Sequence, residues 1–470
     1  MSSVSSLNSL LSSTSGIDIS SILQAATGSS SAGIDVTSAV NAAVTAAQAP
    51  ETNWESQQST LQSQSTALTS LQSATTTLDD DVQALNSIVG PLSATLVSSS
   101  NSSLVTGSAA PGSAMGNDLV VVNSLATTAS WASNTLANET TDLPPETFVI
   151  TTASGASATI TTGNGINTVD DLTKAINGEN LGVTASVIND ANGSRLAITS
   201  NTTGSAANFT VTSSDPSFSL TQAVPGANAS LTVNGIPIAS ASNTVTGAVP
   251  GLTLNLLGAS AGTQVSLSVT PDTSQASTAI NKFVTDYNAL IGQLNTQYTD
   301  VGQGEGVLAS DPSVRNLQSE LLQSVSYTAT PGTGTTTTVP NLSSLGITVN
   351  SDGTLAVNSA TLSNSLQNNF SDVQNFFQGS SLNGFANTLD QQLTNFISPA
   401  DGAFTVDLQS LSTQYSSLQD DINNFETNTI TPLRAQLQAS FSQAEIALQQ
   451  LPNEIKDVDA ELGINSSSNS

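Results

Sequence analysis

The apolar residues of this chain change their spacing twice, and that change limits the folds open to it. In residues 51–90 and again in 404–464 they recur in a seven-residue pattern, whereas between 117 and 270 they alternate with polar residues. A heptad repeat is typical of coiled-coil helices, and alternation is typical of strands with one buried face. The sequence therefore predicts an α+β multidomain fold with helices at both ends and β modules between them.

The heptads also indicate which side chains form the seam between the terminal helices. Pro50 stands at the front of the first helix, and Gly90-Pro91 stops it. Each helix has a narrow apolar stripe that must be covered, so we expect the N-terminal helix to pack against the C-terminal helices in one coiled-coil-like helical leg. The expected seam residues are Trp54, Leu61, Leu68, Leu71, Leu78, Val82 and Leu85 from the first repeat, and Leu411, Tyr415, Leu418, Ile422, Leu437, Leu448, Leu451 and Ile455 from the second.

Two prolines interrupt the C-terminal repeat. Thr431-Pro432 suits the end of one helix and the start of another, because proline is tolerated in the first turn of a helix. Pro452 lies within the last run, where we expect it to kink or end the helix.

Composition shifts and turn signals divide the rest of the chain. Two hairpins are predicted in the middle, one around Asn192-Gly193 and one around Asn234-Gly235, with a short helix from Thr168. The expected domains are a flexible Ser/Ala-rich tail at 1–50; the N-terminal coiled-coil helix of the leg and a connector at 51–116; a β-rich head at 117–270, in two modules with 145–228 as the inner one; a helical leg domain at 271–464, with a β-hairpin near 345–357 and the C-terminal heptad helices; and a flexible tail at 465–470.

The composition excludes several classes of function. The chain has no cysteine and no histidine, which removes zinc sites of the usual kind, haem ligation by those residues, thiol nucleophiles and triads that need imidazole. Six basic against 35 acidic residues give a net charge of −29, which argues against nucleic acid and anionic membrane surfaces. The longest apolar runs, such as 119–122, are far shorter than the roughly 20 residues of a membrane span, so no membrane insertion is expected.

A carboxylate-only enzyme, a hard-metal binder and a structural or interaction protein remain. Asp79-Asp80-Asp81 could suggest a metal or acid–base cluster, but these residues take heptad positions e, f and g, where we expect a solvated helix edge. A glycosidase would need two acids that converge in a pocket, and no motif indicates one. We therefore predict no catalytic residue, no cofactor and no metal site.

Four stretches together resemble a known family, the bacterial flagellar filament capping proteins, also called hook-associated protein two. The resemblance covers roughly residues 33–462. The stretches are Gly33-Ile34-Asp35 with Ala49-Pro50 and the first heptads; Thr168-Val169-Asp170-Asp171-Leu172 with the hairpin that follows; Val233-Asn234-Gly235-Ile236 through Pro250-Gly251-Leu252 to Val269-Thr270-Pro271-Asp272; and Leu345-Gly346-Ile347 with Asp352-Gly353-Thr354-Leu355.

The resemblance implies a non-enzymatic structural cap at the distal tip of the flagellar filament, which promotes insertion of exported flagellin and prevents its loss. It further implies an extracellular, closed homo-oligomer of about four to six copies, with flagellin, other hook-associated proteins and an export chaperone as partners. The first basic residue is Lys174, so we expect export without a cleaved signal peptide. The alternative is an extracellular adhesin that binds host or environmental surfaces through its β-rich head.

Overall fold

The chain is described by a computed structural model at residues 35–298, 306–329, 337–379 and 383–461. The predicted tail at 465–470 and the first 34 residues of the predicted N-terminal tail lie outside these ranges. The helices are α1 (Val36–Ala47), α2 (Ala49–Asn86), α3 (Val169–Gly178), α4 (Thr273–Gln297), α5 (Pro312–Ser324), α6 (Ser359–Asn368), α7 (Phe370–Gln378), α8 (Phe385–Ile397), α9 (Ala403–Phe425) and α10 (Thr431–Glu461), with a π-helical segment at Glu426–Ile430 and short 3-10 turns at Pro91–Ser93, Ser205–Ala207 and Leu342–Leu345.

The strands form antiparallel sheets in the middle of the chain and one small hairpin further on. They are β1 (Thr95–Ser99), β2 (Val105–Ala109), β3 (Gly116–Ser124), β4 (Thr128–Ser133), β5 (Thr147–Thr152), β6 (Ser157–Thr161), β7 (Val183–Asp190), β8 (Gly193–Thr203), β9 (Phe209–Ser213), β10 (Leu220–Val224), β11 (Ala229–Val233), β12 (Ile236–Ser240), β13 (Thr244–Val249), β14 (Leu252–Leu256), β15 (Val265–Pro271), β16 (Ile347–Val349) and β17 (Leu355–Val357). The α+β class expected from the sequence is confirmed.

The β-rich region has two separate hydrophobic cores. The outer module joins the sheet β1-β15-β3-β11-β12 to the sheet β13-β14-β2, and its core includes Val120, Leu231 and Leu254. The inner module joins β10-β4-β8-β7 to β6-β5-β9 and α3, around Phe148 and Leu196. The chain thus leaves the outer module after β3 and returns to it at β11.

The observed module boundaries differ from the predicted ones at two places. The inner module begins at β4, ahead of the expected start at 145, because β4 pairs with β8 and β10. Strands β1 and β2, assigned from the sequence to a connector, belong to the outer module. They pair with β15 and β14, which lie far along the chain, and such distant pairing leaves no local turn signal.

Local sequence explains the elements that were predicted well. The β11–β12 hairpin turns at Asn234 and Gly235 with φ angles of 52° and 82°, the left-handed values that a two-residue type I′ turn requires. Helix α3 begins at a capping box, in which the Thr168 hydroxyl accepts from the Asp171 N–H and the Asp171 carboxylate accepts from the Thr168 N–H.

The helical part of the chain has one large core, which α2, α4–α9 and the β16–β17 hairpin share. Helix α1 lies outside this core and was assigned from the sequence to a flexible tail. The structure places a helix there instead, capped by Asp35, with Val40 and Val44 buried against Ile430 and Phe441. A short apolar stripe on a Ser/Ala-rich segment is a weak signal by itself, because its burial depends on residues from the other end of the chain.

Helical backbone continues through both prolines of the C-terminal repeat. Pro432 lacks an N–H and its ring crowds the carbonyl four residues earlier. The π-helical segment just before it widens the turn, and the Thr431 N–H donates to the carbonyl of Glu426, five residues back. The helix does not end at Pro452 either, since α10 runs through it to Glu461.

Candidate functional site: the helical leg

Helices from opposite ends of the chain pack side by side and antiparallel. Helix α2 lies along α9, and α1 lies along α10. The ring of Trp54 meets that of Phe425 edge-on, and the Gln72 amide donates to the Thr405 hydroxyl at 3.3 Å. As the residue number rises in α2, it falls in the partner helix, which defines the antiparallel direction.

Polar side chains add a set of hydrogen bonds between the paired helices. The Gln58 amide donates to the Tyr415 carbonyl at 3.4 Å and to the Gln419 side chain at 3.3 Å. The Gln48 amide donates to the Glu426 carboxylate at 2.8 Å. Gln58 is buried, whereas its neighbour Gln57 is exposed.

The C-terminal half of α2 enters the core of the leg. Leu68, Leu71, Leu78, Val82 and Leu85 are buried there, among residues of α4, α5 and α8 as well as α9. The structure therefore surrounds these seam residues with a globular helical core, where the heptad pattern predicted a contact with the C-terminal helices alone. A repeat identifies the buried face of a helix but not how many helices cover it.

The N-terminal half of α2 and the part of α9 beside it are more open. Ile422 is buried, Trp54, Leu61 and Leu418 are half-buried, and Tyr415 is 36% exposed. Leu411 is half-buried against the leg core, and Leu437 is half-buried near α1. Leu61 and Leu418 line an open groove of about 420 Å³ between α2 and α9, together with polar residues. This groove is a surface feature with no convergent acids, so it does not resemble a catalytic cleft.

The end of α10 departs most from the predicted seam. Leu448, Leu451 and Ile455 are 46%, 49% and 52% exposed, so packing among the described residues does not close the seam at these three positions. These three residues lie on one side of the helix and form what we call the α10 apolar face. Ile446, on the opposite side of the helix, is 56% exposed.

The acidic run on α2 is also placed differently from the prediction. Asp80 is exposed, but Asp79 and Asp81 are buried, because α4 and α8 cover the helix edge that the heptad frame left in solvent. Lys282 of α4 lies 2.5 Å from Asp81 and 2.8 Å from Asp286, and both contacts raise the pKa of the lysine. Burial raises the pKa of Asp81, although Lys282 opposes that shift.

Neither a cluster of metal-ligating side chains nor a membrane-spanning helix occurs among the described residues. The carboxylates of the described part of the chain form no cluster of three or more placed to hold a metal ion. None of its helices combines the length and apolar character that a membrane span requires.

Sequence reasoning missed two contributors to the paired helices, namely Gln58 and the π-helical segment that carries Ile430 into the contact with α1. The buried stripe of α1 did have a signal, because the helical spacing of Val36, Val40 and Val44 is compatible with a tail that orders against a partner.

These features define a class: an α+β multidomain protein in which helices from both termini pack together and antiparallel β modules fill the middle of the chain. The family profile of the flagellar hook-associated protein 2 N-terminus matches residues 32–129, and that of the flagellar hook-associated protein 2 C-terminus matches 226–453. The chain belongs to the flagellar hook-associated protein 2 family, whose members are flagellar cap proteins.

Individual relatives agree with this assignment. The B-type flagellar hook-associated protein 2 of Pseudomonas aeruginosa is 28% identical over 363 residues, which cover 70% of this chain and 73% of the relative. The lateral flagellar hook-associated protein 2 of Vibrio parahaemolyticus is 27% identical over 312 residues, covering 61% and 68%. The crystal structure of the D1-D2-D3 domains of the flagellar cap protein FliD from Escherichia coli has a TM-score of 0.58 and 28% identity, covering 74% of this chain and 99% of that one.

Proposed function

We propose that this chain is a non-enzymatic cap at the distal tip of the flagellar filament, where it holds exported flagellin, promotes its insertion and prevents its loss. The observation that carries the proposal is the antiparallel packing of terminal helices, with Trp54 against Phe425. Family membership supports the cap rather than the adhesin.

The proposed working form is a closed ring of about four to six identical copies, in keeping with the preference of soluble oligomers for closed symmetry. A closed ring cannot match every site of a helical filament lattice, so one site is left open for the next flagellin. The α10 apolar face is the candidate contact with flagellin and with other hook-associated proteins, because exposed apolar patches mark interaction surfaces.

Export belongs to the same proposal. The chain reaches the filament tip without a cleaved signal peptide and with the help of an export chaperone. Intact-mass measurement of the protein recovered from culture medium tests this, since cleavage would shorten it from the N-terminus.

A deletion strain complemented with matched variants tests the cap function. The wild-type gene and Val406→Asp, an exposed change on α9, are expected to restore long filaments. Leu68→Asp, which places a charge in the leg core, is expected to leave short filaments and unpolymerised flagellin in the medium. Normal filaments in the deletion strain, with loss of surface attachment only, would favour the adhesin and contradict the cap.

The subunit number is measured separately. Light scattering of the purified protein, with electron micrographs of the same sample, is expected to give a single closed particle. A monomer at every concentration tested would contradict the proposed ring.

A further inference from the structure

One carboxyl group in the leg core lacks the hydrogen-bond donors that a buried carboxylate needs. The side chain of Asp79, on α2, is only 5% exposed. The Gln83 amide donates to its Oδ2 at 2.7 Å. Its Oδ1 is buried and, within the described residues, accepts from no donor. A buried charged oxygen without a donor is costly, so the ionised form of this group is poorly satisfied where it lies.

The group that faces Asp79 across the helix interface is a second carboxyl. Helix α8 packs along α2 and brings its Asp390 close enough to Asp79 for the two carboxyl groups to act on each other. Two carboxylates in contact cannot both be ionised at low cost, so one of them takes a proton. A protonated Asp79 supplies the hydrogen-bond donor that two ionised carboxylates lack.

The cations and acids on the other packed helices are engaged elsewhere. Lys282 therefore does not neutralise the Asp79–Asp390 pair. On α4, Lys282 and Asp286 contact each other and Asp81. Asp407 of α9 lies near Asp311, and Asp372 of α7 accepts a hydrogen bond from Thr338. On α2 itself, Asp80 is exposed and adds like charge.

We propose that Asp79 and Asp390 share one proton and that this proton stabilises the contact between α2 and α8. The stability of the helical leg then depends on pH. Loss of the proton leaves two like charges at a buried helix contact, so the contact between the two helices weakens. This inference concerns the leg alone and does not depend on the proposed cap function.

The direction of the effect follows from linkage. Burial, and next the charge of Asp390, raise the pKa of Asp79 from 3.8 to about 7. Between these two values the folded leg binds a proton that the unfolded chain releases, so stability falls as the pH rises through this window. Above about pH 7 the proton is lost from both states, and this contribution to the pH dependence levels off.

Thermal unfolding of the full-length protein tests the proposal, followed by circular dichroism in the helical band from pH 5 to pH 9. Asp79→Asn keeps the shape of the side chain, supplies a donor and carries no charge. We expect it to raise the midpoint at pH 8 by several degrees and to flatten the fall seen in the wild type. Asp390→Asn is expected to flatten the fall as well, whereas Asp80→Asn, on the exposed neighbour, is expected to keep the wild-type slope.

Three results would overturn the proposal. One is an Asp79→Asn protein with the wild-type pH dependence, and another is an Asp80→Asn protein that loses it. The third is a rise in the wild-type midpoint at pH 8 on addition of Mg²⁺ or Ca²⁺ that Asp79→Asn abolishes, because the pair would then hold a cation instead of a proton.

An infrared measurement keeps the test available if Asp79→Asn does not fold. The difference spectrum of the wild type between pH 6 and pH 9 is expected to contain the carbonyl band of a protonated carboxylic acid, lost at the higher pH. Its absence at pH 6 would contradict the shared proton.

Discussion

The indole ring of Trp54 meets the phenyl ring of Phe425 edge-on, with centroids 5.4 Å apart and ring planes at 89°. The two residues come from helices near opposite ends of the chain. Edge-to-face aromatic pairs at this separation attract beyond the apolar area that they bury. The contact therefore ties the start of α2 to the end of α9, next to the π-helical segment.

A double-mutant cycle measures this contact. Trp54→Ala, Phe425→Ala and the double variant are compared by chemical unfolding of the leg. We expect the sum of the two single losses in unfolding free energy to exceed the loss measured for the double variant by about 1 kcal/mol. Additivity within about 0.3 kcal/mol would mean that the rings contribute independently.

A charge placed in the leg core is expected to destabilise it severely. Leu68 is fully buried in the core that α2 shares with the other leg helices. Leu68→Asp leaves an uncompensated charge there and is expected to cost about 3–5 kcal/mol. Val406→Asp, at a site 53% exposed, is the control and should melt as the wild type does. Equal melting of both variants would refute the assignment of Leu68 to the core.

One asparagine holds the small hairpin of the leg. The Asn288 amide donates to the Leu355 carbonyl at 2.8 Å, and the Leu355 N–H donates to the Asn288 side-chain oxygen at 2.6 Å. Asn288→Ala leaves both backbone groups unpaired and is expected to cost about 1–3 kcal/mol. Asn281→Ala, on the exposed side of the same helix, should cost less than about 0.5 kcal/mol. Hydrogen exchange at Leu355 is expected to speed up only in the first variant.

The capping box of α3 predicts a similar contrast in the inner β module. Thr168→Ala removes the hydroxyl that accepts from the Asp171 N–H and is expected to cost about 1 kcal/mol. Thr168→Ser keeps the hydroxyl and should retain most of the stability. Equal losses in calorimetric unfolding of the two variants would show that the methyl group, not the cap, matters at this position.

The sequence predicted elements whose signals are local. The Asn234-Gly235 hairpin and the short helix from Thr168 depend on preferences within a few residues, and both are confirmed. The α+β class followed from the change in apolar spacing for the same reason.

Features that depend on distant partners were predicted less well. The burial of Asp79 is set by α8, which the heptad frame of α2 cannot reveal. Helix α1 orders against α10, and strand β1 pairs with β15, so neither carries a strong pattern of its own. At the C-terminal end the pattern predicted buried seam residues, whereas Leu448 and Ile455 are exposed among the described residues.

Cross-linking of engineered cysteines tests the antiparallel packing of the terminal helices most directly, because the chain has no cysteine of its own. Gln58→Cys with Gln419→Cys joins positions whose side chains are hydrogen-bonded at 3.3 Å. Gln58→Cys with Gln438→Cys is the control, since nineteen further residues of helix move the second site by roughly 28 Å. With a short thiol-specific cross-linker at low protein concentration, we predict an intramolecular link in the first pair and none in the second. No intramolecular link in the first pair, or equal linking in both, would contradict the account.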